Sequence, residues 1–130
     1  MTGFLFVPLV GCGSSGSRPD AAVRATLLRG LAQIRASHDD QKLHDELVRT
    51  LATLREEHAA TPAGRAARRL AIRGFAATVA GVQSRLDFTL NDSGNVEAAT
   101  RDALSADRHL ARGRRLLRAA ARALGITPRP

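Results

Sequence analysis

The chain has 130 residues, room for one small domain and too little for two. Hydrophobic residues make up 44% but aromatics only 3%, with no Trp or Tyr, so a core must come from Leu, Val, Ile and Ala, which favours packed helices over a β-sandwich. A single cysteine excludes an internal disulfide and a Cys-rich zinc site; the net charge of +8, on nineteen Arg and Lys42, points to an anionic partner or to a solvated basic surface.

Residues 1–11, MTGFLFVPLVG, are apolar from Phe4 to Val10, with Pro8 inside the run. The run is too short to span a bilayer, which takes about 20 residues, and has the length of a signal-peptide apolar region. No Lys or Arg precedes it, and an in-frame start upstream of Met1 is expected to supply one. Cys12 follows, then GSSGSRP at 13–19, a small polar linker that cannot pack. The helical text occupies residues 20–126.

A first long helix is expected from Asp20 to the His58-Ala59-Ala60 stretch. Val23, Leu27, Leu31 and Ile34 step by four and three along one face. Ser37-His38-Asp39-Asp40 interrupts the pattern, where a Ser37–Asp40 capping box would kink or restart the helix. The stripe resumes one face over at Leu43, Leu47, Leu51 and Leu54. Thr61-Pro62 reads as a cap and first position of a second helix, with Ile72, Phe75, Val79, Val82, Leu86 and Leu90 on its apolar face. NDSGN at 91–95 turns the chain, and Asp92 or Asn95 caps a third helix. Its seam runs Val96, Ala99, Ala103, Ala106, Leu110, Gly113, Leu117, Ala120 and Leu124, with small residues that let backbones approach closely. Gly125 and Pro128 end it. The expected fold is all-α: an antiparallel up-down-up bundle of three long helices behind an unstructured N-terminal tail.

Leu9-Val10-Gly11-Cys12 resembles the lipobox of bacterial lipoproteins. The resemblance implies cleavage between Gly11 and Cys12 and transfer of a diacylglyceryl group to the Cys12 sulfur. The protein would then sit on the extracytoplasmic face of the cell membrane, held by palmitate-type acyl chains. Each position has a chemical reason: the thiolate is the nucleophile, small neighbours admit the peptidase, and two acyl chains anchor where one does not. The alternatives are an apolar tail with an incidental cysteine, or a cloning linker at GSSGS. Residues 86–125, LDFTLNDSGNVEAATRDALSADRHLARGRRLLRAAARALG, resemble the C-terminal half of small uncharacterised lipoproteins of actinomycetes, a resemblance that carries no activity with it.

Charge is polarised along the chain. Residues 95–124 hold seven Arg against Glu97, Asp102 and Asp107, and residues 62–91 hold five Arg against Asp87; residues 20–59 are slightly acidic. Arg101, Arg108, Arg112, Arg115 and Arg122 recur on one helix stripe, which Arg114 and Arg118 widen. The first reading of such a stripe is a solvated face; as a working surface it would meet lipid headgroups or an anionic wall polymer ahead of nucleic acid phosphates, since no base-reading motif or interleaved aromatic accompanies it.

The His38, Asp39, Asp40, His44, Asp45, Glu46 cluster lacks the Glu-x-x-His spacing of bundle metal sites, so no metal is expected. NDSGNVE at 91–97 lacks the acidic pattern of a calcium loop. No nucleophile–base pair, Gly-rich phosphate loop or G-x-S-x-G frame is present, so neither enzyme activity nor a cofactor is expected. The favoured function is a membrane-anchored, non-catalytic helical binding or structural domain. The alternative is a cytoplasmic basic helical protein that binds nucleic acid or a partner helix.

Overall fold

The computed structural model describes residues 19–90 and 94–127. All regular structure among them is helical: α1 (Ala21–Ala36), α2 (Asp40–Glu56), α3 (Pro62–Leu90) and α4 (Val96–Ala123). The expected all-α class holds, but there are four helices where three were expected. The first long helix is cut in two at Ser37, whose backbone is extended (φ −83°, ψ 132°). The capping residue is Asp39 and not Ser37: its carboxylate accepts from the Lys42 amide at 2.9 Å, while the Ser37 hydroxyl donates to the Asp39 carbonyl at 3.0 Å. The Asp40 carboxylate is thereby free to take Arg85 of α3, 2.5 Å away.

The physical reason for the break is burial. The Val23/Leu27 stripe and the Leu43/Leu47/Leu51/Leu54 stripe must both reach the core around Phe75, and they do so only if the chain doubles back. The Thr50 hydroxyl donates to Gln33 and Thr26 to Glu57, so α1 and α2 run antiparallel. Arg68 donates to the Leu54 and Arg55 carbonyls while Arg85 reaches Asp40 at the other end of α2, which sets α3 antiparallel to α2. Gly74 lies against Leu117 and Gly81 against Leu110, which sets α4 antiparallel to α3.

The α3–α4 seam is built from small residues as expected. Gly74, Ala77, Thr78 and Gly81 on α3, with Ala106, Gly113, Ala120 and Ala121 on α4, are all buried. One end of that seam, the tip where α3 passes into α4, departs from expectation. Leu90 is 80% and Val96 76% exposed, and Phe88 and Leu104 are also exposed. Helices α1 and α2 have 16 and 17 residues against 29 and 28 for α3 and α4, so the α3–α4 hairpin outruns the helices that would cover its tip.

Asp20 ties the other end together. It is the sole non-glycine residue with positive φ (64°) among those described, a conformation Asp tolerates better than most. Its carboxylate caps α3 and not its own helix, accepting from the Ala60 amide at 2.5 Å and from the Thr61 hydroxyl; Thr61 in turn accepts from the Gly64 amide at 2.9 Å. The Thr61 hydroxyl is the main cause that holds the Asp20 carboxyl below its ordinary value of 3.8; desolvation opposes it, and the Ala60 and Thr61 amides and the Arg65 charge add to the lowering. A carboxyl lowered in the folded state contributes stability that is complete above its unfolded pKa and lost as pH falls through the folded one. Asp20→Asn is therefore expected to lower Tm at neutral pH, and to flatten the fall in Tm that the native chain shows below about pH 4. Parallel Tm–pH curves for the two chains would contradict the assignment.

Candidate functional site

Helices α1 and α4 meet at one end and leave a groove above it. At that end the Arg24 guanidinium donates to the Leu124 carbonyl at 3.0 Å, placing a cation on the negative end of the α4 dipole. Gly125, at φ 67°, closes α4 in a Schellman motif: its own amide donates to Arg122 and that of Ile126 to Ala121, at 3.0 and 2.9 Å. The reversal brings Ile126 back beside Ala121, and both line the groove together with Thr127.

The groove encloses about 670 Å³ between Leu28, Leu31 and Ile34 on α1 and Leu117 and Ala121 on α4, with Arg35, Arg114 and Arg118 at its edges. Counting back from the Arg24–Leu124 bond, the antiparallel register sets Arg35 across from Arg114. Arg35 and Arg114 thus stand at one end of the groove, Arg118 flanks its middle, and Ile126 and Thr127 lie toward the other end. Arg35, Arg114 and Arg118 are exposed and make no ion pair among the described residues.

The expected stripe of Arg101, Arg108, Arg112, Arg115 and Arg122 lies on the outer face of α4, every member exposed. At 100° per residue the five fall within about 80° of the helix circumference and along roughly 32 Å of its length. None makes an ion pair among the described residues. Arg101 and Arg108 also edge a broad depression of about 770 Å³, whose described lining residues all come from α4 and include Val96 and Leu104. That larger space is a shallow surface; the smaller groove, walled by two helices, is the better-formed binding feature.

Cys12, Gly11 and the lipobox-like residues lie outside the described residues. Among the described residues no group of three His, Cys, Asp or Glu side chains could hold a metal ion, and His44 faces Asp45 at 3.2 Å. No described helix is long and apolar enough to cross a membrane. The groove went unseen in the sequence because Leu31 and Ile34 read as core and Arg35 belongs to no stripe. The sequence signal that would have found it is the shift of face between Ile34 and Leu43. No family model matches the chain, and neither a curated protein nor a solved structure matches it.

Proposed function

We propose that the protein is a lipid-anchored module of the cell envelope whose helical domain binds an anionic partner without catalysing a reaction. Cys12 carries the lipid, residues 13–19 are the tether, and α4 presents the binding face. The observation that carries the binding half is that all seven arginines of α4 are exposed and unpaired among the described residues. In a folded surface that expects no partner, interspersed acids ordinarily offset such a field. The anchoring half rests on Leu9-Val10-Gly11-Cys12 and the spacer behind it.

Expressed from its own locus, the protein is expected in the membrane fraction, and Cys12→Ser is expected to release it or leave it unprocessed. An unmodified chain beginning at Met1 in the cytosol, seen by intact mass, overturns the anchoring. Purified Cys12→Ser chain is expected to bind vesicles containing phosphatidylglycerol, weakening steeply with salt because the Debye length is about 8 Å at physiological ionic strength. At about 1 kcal/mol for each Arg near the surface, replacing Arg108, Arg112 and Arg115 by Gln should weaken binding by roughly two orders of magnitude. Tighter binding to duplex DNA than to vesicles would favour the cytoplasmic, nucleic-acid-binding alternative.

A further inference from the structure

We infer that the α1–α4 groove is a site for a single-chain anionic amphiphile, with the head held between Arg35 and Arg114 and the alkyl tail lying on Leu31, Leu117 and Ala121. The inference deepens the reading of an anion-binding domain by naming the ligand chemistry, and it does not depend on lipidation of Cys12.

Three observations carry it. The first is the polarity of the groove. Toward the C-terminus of α4 its lining is mainly apolar, with Ile126 brought back beside Ala121, whereas Arg35 and Arg114 stand two or more helical turns away and Arg118 flanks the groove between them. A ligand with one charged and one apolar end has a single way to lie in it. The distance from Arg114 to Leu124 along α4 is about 15 Å at 1.5 Å per residue, a length for a medium alkyl chain.

The second is the charge on the two walls. Arg35 on α1 and Arg114 and Arg118 on α4 are like charges on opposite sides of an apolar cleft. Elsewhere α1 packs on α2 and α3 and α4 packs on α3, whereas α1 and α4 stay apart over this stretch. The apolar floor favours closure and the like charges oppose it. A carboxylate or phosphate head between the walls removes the repulsion, and bidentate guanidinium geometry suits either head.

The third is the size of the apolar surface left uncovered. Leu28 is 43% exposed, and Leu31, Ile34 and Ile126 are half-buried beside the buried Leu117 and Ala121. A volume of about 670 Å³ falls within the ordinary range of small-ligand sites and is small for a whole partner helix. A second copy of this chain would bring its own +8 charge against the same arginines, which disfavours self-association there.

The test is calorimetric titration of the full chain carrying Cys12→Ser with decanoate and with 1-decanol, which share a tail and differ in charge. Decanoate is expected to bind at one site per chain and at least tenfold more tightly than 1-decanol. The double variant Arg35→Gln/Arg114→Gln should lose that preference while still binding the alcohol. Leu28→Glu, at a half-exposed position that folding tolerates, should abolish binding of decanoate with helicity unchanged by circular dichroism. Absence of saturable decanoate binding, or an undiminished preference in the double variant, overturns the inference. So does a dimer by light scattering that Leu28→Glu dissociates, because a second copy would then occupy the groove. Membrane release of Cys12→Ser is scored separately, so failure of the anchor and failure of the groove are distinguishable.

Discussion

Phe75→Ala is expected to destabilise the protein by about 3–5 kcal/mol, lowering Tm by well over 10 °C, while Phe88→Ala changes it little. Phe75 is fully buried and is the largest side chain in the core. It sits where α1, α2 and α3 converge, among Val23, Leu27, Leu47 and Leu54. Its ring also fills the space above Gly30, whose missing side chain lets Phe75 approach α1; a Cβ there would lie 2.6 Å from Cε1. Truncation leaves a cavity bounded by helix backbones that already meet at close range, so little collapse can offset it. Phe88, 47% exposed on the outrunning end of α3, has no comparable cavity to leave. Against a total stability of about 5–15 kcal/mol for a domain of this size, the first change removes a large fraction and the second does not. Urea unfolding of both variants decides it. A Phe75→Ala loss below about 1 kcal/mol would place the centre of the core elsewhere.

That contrast between two phenylalanines on one helix shows what local sequence carries and what it omits. The 3.6-residue period puts Phe75 on the buried stripe with Val82, and it is buried. The same period puts Leu90 and Val96 on buried stripes, and both are exposed. Periodicity reports which face of a helix is apolar, whereas burial depends on a neighbour long enough to cover it. The caps of the long helices were legible because they are chemical and local: Asn95 accepts from the Ala98 amide, and Thr61 precedes Pro62. The Asp20–Thr61 tie spans 41 residues and leaves no local trace. The break after Ala36 was visible as a change of face, but the period alone could not distinguish a kinked helix from a hairpin. The short connection at residues 37–39 suffices to reverse the chain, and with the reversal α1 becomes a neighbour of α4. The candidate groove therefore depends on a topological fact, and the arginine stripe on a local one; the second was readable and the first was not.

Gly113→Val is expected to damage the α3–α4 seam strongly, costing about 3 kcal/mol, with Gly113→Ala costing about 1–2. Two effects oppose each other in the alanine case. Replacing a mid-helix glycine by alanine gains up to about 1 kcal/mol in helix propensity. Against this, a Cβ at Gly113 would meet the Thr78 hydroxyl, the Gly74 carbonyl oxygen at 3.0 Å and the Thr78 amide nitrogen at 3.2 Å. The Thr78 hydroxyl cannot swing aside freely, because it donates to the Gly74 carbonyl at 2.9 Å inside the buried seam. The other two contacts are backbone, so relief requires moving α4 away from α3 along a seam of closely packed small residues. Overpacking of this kind costs about 1–3 kcal/mol and exceeds the propensity gain. Valine adds two methyl groups against the same wall and loses side-chain freedom in the helix, so its penalty is larger. Gly81→Ala meets one backbone atom, the Leu110 nitrogen at 3.1 Å, but its two nearest contacts are side-chain atoms of the half-buried Leu110, which can shift by rotation, so it should be somewhat milder. Denaturant midpoints are expected to fall most for Gly113→Val, less for Gly113→Ala and least for Gly81→Ala, an order that reports how closely the two long helices touch. A Gly113→Ala chain more stable than the native one would mean that the seam is open enough for propensity to win.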